Sequence, residues 1–250
     1  MKKILRSLLL SCLVLAGANR VWANDREMAL AVIDKAIKAH GGEDAMARAQ
    51  IAVRSATGKM SPFGKEVPFA DEIHLQLPDR FRINLVMGSG DQKARFLLVV
   101  NGDKGWQSTG GMSMELGKER LEELLEEAYV FSLTTYLPLK KDNVFELATL
   151  PEIKVNDQPA VGVKVARKGR PDVKLHFDKQ SGLLVRIERR AREGGVLVDK
   201  EYIYSEHKEF DGIKMATKHI ENVNGRKFSD VTVSSYKFPR QADEKWFDKP

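Results

Sequence analysis

Between residues 51 and 238, apolar and polar residues alternate with a period of two in segment after segment, and one long stretch alone breaks the pattern. Such alternation gathers a strand's apolar side chains on one face, and the twist of successive antiparallel strands bends that face into a concave trough. The first strand, Ile51–Met60, stops at the turn signal Ser61-Pro62-Phe63-Gly64. In residues 65–77, Val67, Phe69, Ile73, Leu75 and Leu77 share a face, with Asp71 intruding, while Glu66, Glu72, His74 and Gln76 lie opposite. After Pro78-Asp79, Phe81, Ile83, Leu85 and Met87 face one way and Arg80, Arg82 and Asn84 the other. Gly88-Ser89-Gly90-Asp91 closes that hairpin. A nearly continuous apolar run at 95–100 then turns at Asn101-Gly102-Asp103 into a strand carrying Trp106. These strands read as meandering neighbours.

Helical spacing appears twice. Ala29, Val32, Ile33, Ala36 and Ile37 form one buried stripe behind a cap at Asn24 or Asp25; Gly41-Gly42 stop this helix and a short turn at 43–49 follows. In residues 117–137, Leu121, Leu124, Leu125, Ala128, Ser132, Leu133, Tyr136 and Leu137 recur every three or four positions up to Pro138. A helix of that length reaches about 30 Å, enough to lie over a strand of about nine residues. Its Glu122, Glu123, Glu126 and Glu127 read as a solvated face. A second strand series begins near Val144, with Val161, Val163 and Val165, then Val173, Leu175 and Phe177, alternating. Turns at 178–182, Glu193-Gly194-Gly195, Asp211-Gly212 and Asn224-Gly225 punctuate it. The fold class expected is mainly β with helices (α+β), an open, curved antiparallel β-barrel covered by helices, forming a single domain over residues 24–250.

Lys2, Lys3 and Arg6 precede an apolar run at 8–18, and Val21-Trp22-Ala23 offers a small residue at a cut, so residues 1–23 read as a signal peptide cleaved after Ala23. A Gram-negative periplasm is the expected destination. A second reading uses Leu9-Leu10-Ser11-Cys12 as a lipoprotein signal with Cys12 as a lipid anchor, although Leu13, Val14 and Leu15 continue the apolar run beyond it. No later segment approaches the roughly 20 apolar residues of a spanning helix, so no transmembrane segment is expected after cleavage. Cleavage removes Lys2, Lys3, Arg6 and Arg20 and no acid, so 41 basic and 35 acidic side chains become 37 and 35, and the net charge falls from +6 to +2. Nucleic acid is therefore not an expected partner, since that role needs a clustered basic face, and Arg186, Arg189, Arg190 and Arg192 have acids among them and read as a solvated hairpin surface. Cys12, the one cysteine, leaves with the signal, so neither a disulfide nor a cysteine metal site is available.

Chemistry-bearing motifs are absent from the sequence. His40, His74, His176, His207 and His219 are scattered without metal-ligand spacing, and His74 and His176 fall on polar strand faces as surface histidines. Gly111-Met112-Ser113-Met114-Glu115 lacks the last glycine and the strand-to-helix setting of a nucleophile elbow. Gly88-Ser89-Gly90 opens no helix, and Gly41-Gly42-Glu43-Asp44 is a helix stop. Trp106 and Trp246 read as packing or anchoring residues. Neither a catalytic residue nor a cofactor is expected, and an enzyme is disfavoured.

Taken in order, Ala39-His40-Gly41-Gly42 after an exported helix, the strand Ile51–Met60, Asn101-Gly102-Asp103-Lys104-Gly105-Trp106, Phe177-Asp178-Lys179-Gln180-Ser181-Gly182-Leu183-Leu184, Phe210-Asp211-Gly212-Ile213-Lys214-Met215 and the closing Trp246-Phe247-Asp248-Lys249-Pro250 resemble the LolA/LolB-like outer-membrane lipoprotein-sorting proteins. The resemblance implies an unclosed barrel with a helical lid over an apolar cavity for lipoprotein acyl chains or other lipids, with an inner- or outer-membrane receptor as a further partner. It also implies a lid-closing arginine on an early strand, for which Arg54 is the nearest candidate. The expected cavity wall is Phe69, Ile73, Leu75, Phe81, Ile83, Leu85, Phe96 and Leu98, and the expected lid Leu121, Leu124, Leu125 and Tyr129. Each buried methylene contributes about 0.8 kcal/mol, so a sixteen-carbon chain gains on the order of 12 kcal/mol. The same side chains also suit a filled core, because interiors ordinarily pack to near-crystal density. A same-fold envelope sensor or protein-interaction module without transport activity is the alternative to a carrier.

Overall fold

The computed structural model describes residues 25–141 and 144–250, without the Phe63 side chain. The expected signal peptide, the cut after Ala23 and the anchor at Cys12 lie outside the described residues, as does Asn24. Helix α1 (25–39) and the short α2 (Glu43–Arg48) come first. Six strands follow as an antiparallel meander: β1 (Ile51–Met60), β2 (Val67–Gln76), β3 (Arg80–Met87), β4 (Ala94–Asn101), β5 (Lys104–Thr109) and β6 (Met112–Glu115). Helix α3 (Lys118–Leu133) then crosses to a second meander of seven: β7 (Glu146–Val155), β8 (Gln158–Arg167), β9 (Arg170–Asp178), β10 (Leu184–Glu193), β11 (Val196–Phe210), β12 (Ile213–Val223) and β13 (Arg226–Lys237).

β1 pairs with β13, so the two meanders join into one antiparallel sheet of 13 strands whose edges, β6 and β7, stay apart. The result is the open barrel that the alternation predicts. Bulges at Ser55/Ala56 on the β1–β13 seam and at Glu221/Asn222 between β12 and β13 interrupt the register, and each sharpens the local bend of its strand. At Gly58 a side chain would stand 2.2 Å from the Asp230 carbonyl oxygen and 2.9 Å from the Phe69 ring, so glycine is what lets the seam close here.

The helices cover the concave face unevenly. Ala29, Ile33, Ala36 and Ile37 of α1, with Val130 and Leu133 of α3, pack on Val163, Leu175, Phe177 and Ile187 as a filled core over the second meander. Over the first meander, Leu124 and Ala128 meet Phe81 and Val100. Asp25 docks the start of α1 on β7 by accepting from the Thr149 backbone N–H at 2.9 Å and from its hydroxyl at 2.5 Å. On the opposite face of the sheet, the C-terminal turn Glu244–Phe247 covers β2–β4: Arg80 stacks 4.3 Å over the Phe247 ring, and Trp246 meets His74 edge-on.

α3 ends earlier than the spacing suggests. The hydroxyls of Thr134 and Thr135 donate back to the carbonyls of Phe131 and Ser132, and Tyr136 turns left-handed at φ 62°, so the helix stops at Leu133 and a separate 3-10 turn, Leu137–Lys140, follows. Hydroxyl side chains that bond the preceding turn compete with the helical ladder.

Candidate functional site

Between the filled core and the first meander the trough is hollow. A cavity of about 280 Å³ lies on the concave face. Ala52, Arg54, Ile73, Leu75, Phe81 and Ile83 of β1–β3 form one wall, and Leu184, Tyr202, Tyr204, Met215 and Tyr236 of β10–β13 the other. Leu124, Ala128 and Phe131 of α3 form the roof, while His40, Met46 and Tyr136 close the end near α1 and α2. Cross-strand register explains the apolar wall, since Ile73 lies opposite Ile83 and Leu75 opposite Phe81. A dry apolar space of about 150 Å³ accepts a guest the size of benzene, so this one has room for a length of alkyl chain.

At the end near α1 and α2, His40 is neutral and hydrogen-bonded through both ring nitrogens. His40 Nδ1 donates to the Lys214 carbonyl at 2.6 Å, leaving Nε2 to accept from the Leu184 backbone N–H and the Tyr136 hydroxyl, each at 3.2 Å. Burial pushes His40 down to about 4 and His219 down to about 3, with Arg54 adding to the effect at His219. Both imidazoles are therefore uncharged at neutral pH.

A second, polar chamber of about 240 Å³ adjoins the first, toward the β1–β2 turn end of the trough. Glu127 of α3 reaches into it and meets Arg189, whose side chain is 1% exposed, Lys200 at 3.0 Å and the Tyr202 hydroxyl at 3.1 Å. Register makes the cluster: Arg189 stands opposite Lys200 on neighbouring strands, and Tyr202 opposite Glu221. Burial opposes ionisation of Glu127, yet Arg189 and Lys200 hold its carboxyl below the usual range. Burial raises the Glu221 carboxyl in spite of Lys200 at 3.2 Å. Across the trough Arg54 Nη2 donates to Asp71 at 2.5 Å, and burial raises the Asp71 carboxyl against that partner.

The sequence matches no protein-family model and no curated protein. Among solved structures, a putative outer membrane lipoprotein-sorting protein domain from Vibrio parahaemolyticus is similar, with a TM-score of 0.58 at 14% identity over 90% of this chain and 97% of that one. A LolA superfamily protein from Nitrosomonas europaea gives 0.55 at 14% identity over 88% and 97%. A DUF1329 family protein from Desulfovibrio piger ATCC 29098 gives 0.55 at 12% over 88% and 97%. The chain has a LolA-like fold.

Within this LolA-like trough the residues singled out from sequence separate into groups. Ile73, Leu75, Phe81 and Ile83 line the apolar cavity, and Phe69 lines the polar chamber. Leu85 packs beside Phe69, Leu98 packs beneath α3, and Phe96 is 36% exposed. None of these last three lines either chamber; Leu98 is covered by α3 itself, and Leu85 packs in the separate cluster with Phe69. Of the four lid residues Leu124 roofs the cavity; Leu121 and Leu125 pack on the β2–β4 cluster, and Tyr129 joins the filled core under Arg170, 4.0 Å from its ring. Arg54 sits in the cavity wall with its hydrogen bond to Asp71 on the adjacent strand, while the charged contacts of α3 with the sheet run through glutamates.

Those glutamates correct the expectation of a solvated face. Glu122 is exposed, but the Glu123 side chain is 7% exposed and accepts from the Gly195 backbone N–H at 2.9 Å, Glu126 pairs with Arg170, and Glu127 is the centre of the cluster above. A helix lying in a trough is flanked by sheet on both sides, so its solvent stripe is narrower than on a flat sheet. Arg189 is buried rather than part of a wet hairpin, and His176 is 3% exposed, bonded to Glu188 at 3.0 Å, rather than a surface residue. His74 too is sheltered, by Trp246. Tyr202, Tyr204 and Tyr236 were missed from sequence, and His219, read only as one of five scattered histidines, lines both chambers. The Lys200-Tyr202-Tyr204 alternation signals their shared face, but Ile203 on the opposite face masks it.

Proposed function

We propose that this protein carries the acyl chains of lipoproteins or other lipids through the periplasm in its apolar cavity and hands them to the outer membrane. The observation that supports this reading best is the hollow beside a filled core: Ile73, Leu75, Phe81 and Ile83 face a space of about 280 Å³ that the helices leave open. Transfer then proceeds without covalent chemistry: α3 shifts, a chain inserts against β1–β3, and a receptor or membrane later takes over its burial. Handover is required by magnitude, since a sixteen-carbon chain gains on the order of 12 kcal/mol, which corresponds to roughly nanomolar affinity.

The exported protein, purified from a Gram-negative periplasm without detergent and weighed by native mass spectrometry, tests this. Co-purifying acyl lipid, lost when Ile83→Trp fills the cavity, supports carriage. Protein free of lipid that also fails to take up a fluorescent fatty acyl probe overturns it. A sensor of the same fold is favoured by the bare edge strand β6, where Met112 is 76% and Met114 59% exposed; retention of a membrane-protein domain by lipid-free protein points that way.

A further inference from the structure

We infer that a guest enters and leaves along one flank of the roofing helix: the apolar seam between α3 and β2–β4 parts, while α3 stays fastened to β9–β11. This rests on the carrier reading and adds to it the route by which the cavity is reached. The two flanks of α3 differ in chemistry. Toward the second meander, Glu123 accepts from the Gly195 backbone N–H at 2.9 Å, Glu126 pairs with Arg170, and Glu127 meets Arg189, Lys200 and the Tyr202 hydroxyl. Arg170 also lies 4.0 Å over the Tyr129 ring, and Val130 and Leu133 are sealed in the filled core. Toward the first meander, Leu121, Leu124, Leu125 and Ala128 pack on Leu77, Phe81, Leu98 and Val100. Among the described residues, no hydrogen bond or ion pair joins an α3 side chain to that meander; Lys118, Arg120 and Ser132 bond within the helix.

An alkyl chain can wedge into the apolar flank and not into the ionic one. Each methylene that slides between Leu125 and Leu98 exchanges one hydrocarbon contact for another, so the chain's own burial offsets the parting of the seam. Parting the other flank leaves the buried Arg189 and its neighbour Lys200 without the Glu127 carboxylate, which a hydrocarbon cannot replace. The seam also leads directly inward, since Leu124, Ala128 and Phe81 line both the seam and the cavity. A joint lies where this motion needs one. Only Leu116 and Gly117 separate β6 from α3; the Leu116 N–H is held by the Gly105 carbonyl of β5 at 2.8 Å, and a side chain at Gly117 would meet nothing within 4 Å. Rotation at Gly117 therefore lets the helix swing from β3 and β4 without pulling β6 out of the sheet.

Cysteine pairs can hold either flank shut, because residues 24–250 contain no cysteine of their own. Leu98→Cys with Leu125→Cys spans the apolar seam at side chains outside the cavity wall, and Glu126→Cys with Arg170→Cys spans the ionic flank. Each pair is joined by a short bismaleimide with a central disulfide and checked by mass. Stopped-flow fluorescence then follows uptake of dansyl-labelled undecanoic acid before bridging, after it and after reductive cleavage. The bridge across the apolar seam is expected to slow uptake at least about tenfold, reversibly, and the bridge across the ionic flank to change it by less than about twofold. If the ionic bridge slows uptake as much as the other, or neither does, the one-sided route is wrong and the carrier reading stands. If no unbridged protein takes up the probe, both fall. Two single variants decide the matter even where a cysteine pair does not fold. Leu125→Ala, which thins the seam, is expected to speed uptake at least about threefold, and Glu126→Gln to leave it within about twofold; equal effects or the reverse order overturn the route.

Discussion

Glu127, halfway along the roofing helix, is ion-paired with Arg189, a side chain 1% exposed on the floor of the sheet. Opposite Arg189 on the next strand stands Lys200, which Glu127 also meets and shares with Glu221. Replacing Glu127 by Gln leaves Arg189 buried without that counter-ion, and loss of one partner of a buried pair typically costs about 3–5 kcal/mol. Urea unfolding followed by circular dichroism is expected to show a midpoint shift of that size. A change under about 0.5 kcal/mol, the usual range of surface substitutions, would show that this ion pair does not fasten the helix.

Acid should weaken the protein through its buried histidines. The unfolded imidazoles take up protons near 6.5, whereas folded His40 resists until about 4 and folded His219 until about 3. The unfolded state therefore binds more protons across this interval, so stability is complete above pH 6.5 and falls as the pH drops toward 4. At about 1.4 kcal/mol per pH unit for each group the loss amounts to several kcal/mol. Urea midpoints measured from pH 7.5 to 4 should trace the decline, with a shallower slope in His219→Phe. A flat profile would contradict the buried neutral assignment.

Filling the cavity should uncouple stability from ligand uptake. Ile83→Phe adds volume where the wall faces open space, and such substitutions commonly raise stability by about 0.5–2 kcal/mol. Thermal unfolding is expected to shift upward while uptake of a fluorescent fatty acyl probe drops. A destabilised variant would mean that the space is too irregular to accept the ring.

The β1–β13 seam should be intolerant at Gly58. A methyl group there would stand 2.2 Å from the Asp230 carbonyl oxygen, a backbone atom that cannot swing aside. Gly58→Ala is expected to destabilise by about 2–3 kcal/mol. Gly105→Ala is the control, because its nearest obstacle, at 2.7 Å, is the end of the Leu116 side chain, which can move.

Much of the architecture was legible because period-two alternation is a direct signature of one-sided burial: β1 was bounded to the residue, and Ile73, Leu75, Phe81 and Ile83 could be placed on the concave face. The roof was legible less fully. The heptad-like spacing continues through Tyr136, but Thr134 and Thr135 end the helix through hydrogen bonds that spacing does not encode. The ionic cluster escaped sequence reasoning for a different reason. Glu127 acquires its meaning from Arg189 and Lys200, more than 60 positions away, and a charged residue looks the same in sequence whether its partner is water or a buried guanidinium. Hollowness was likewise undetermined, since Leu85 and Leu98 carry the same pattern as Leu75 and only the packing around each decides which of them meets open space.

Pairing of β1 with β13 sets an order on how this molecule can assemble. The earliest strand waits for the last, some 180 positions later, so the leading half of the sheet keeps a sticky border bare throughout chain synthesis or threading. Contacts this distant in sequence slow folding, and an uncovered strand border invites pairing with other chains. A chain truncated before residue 226 would therefore be expected to aggregate, and the full-length protein to rely on delivery of its C-terminal strand before neighbouring molecules can claim that place.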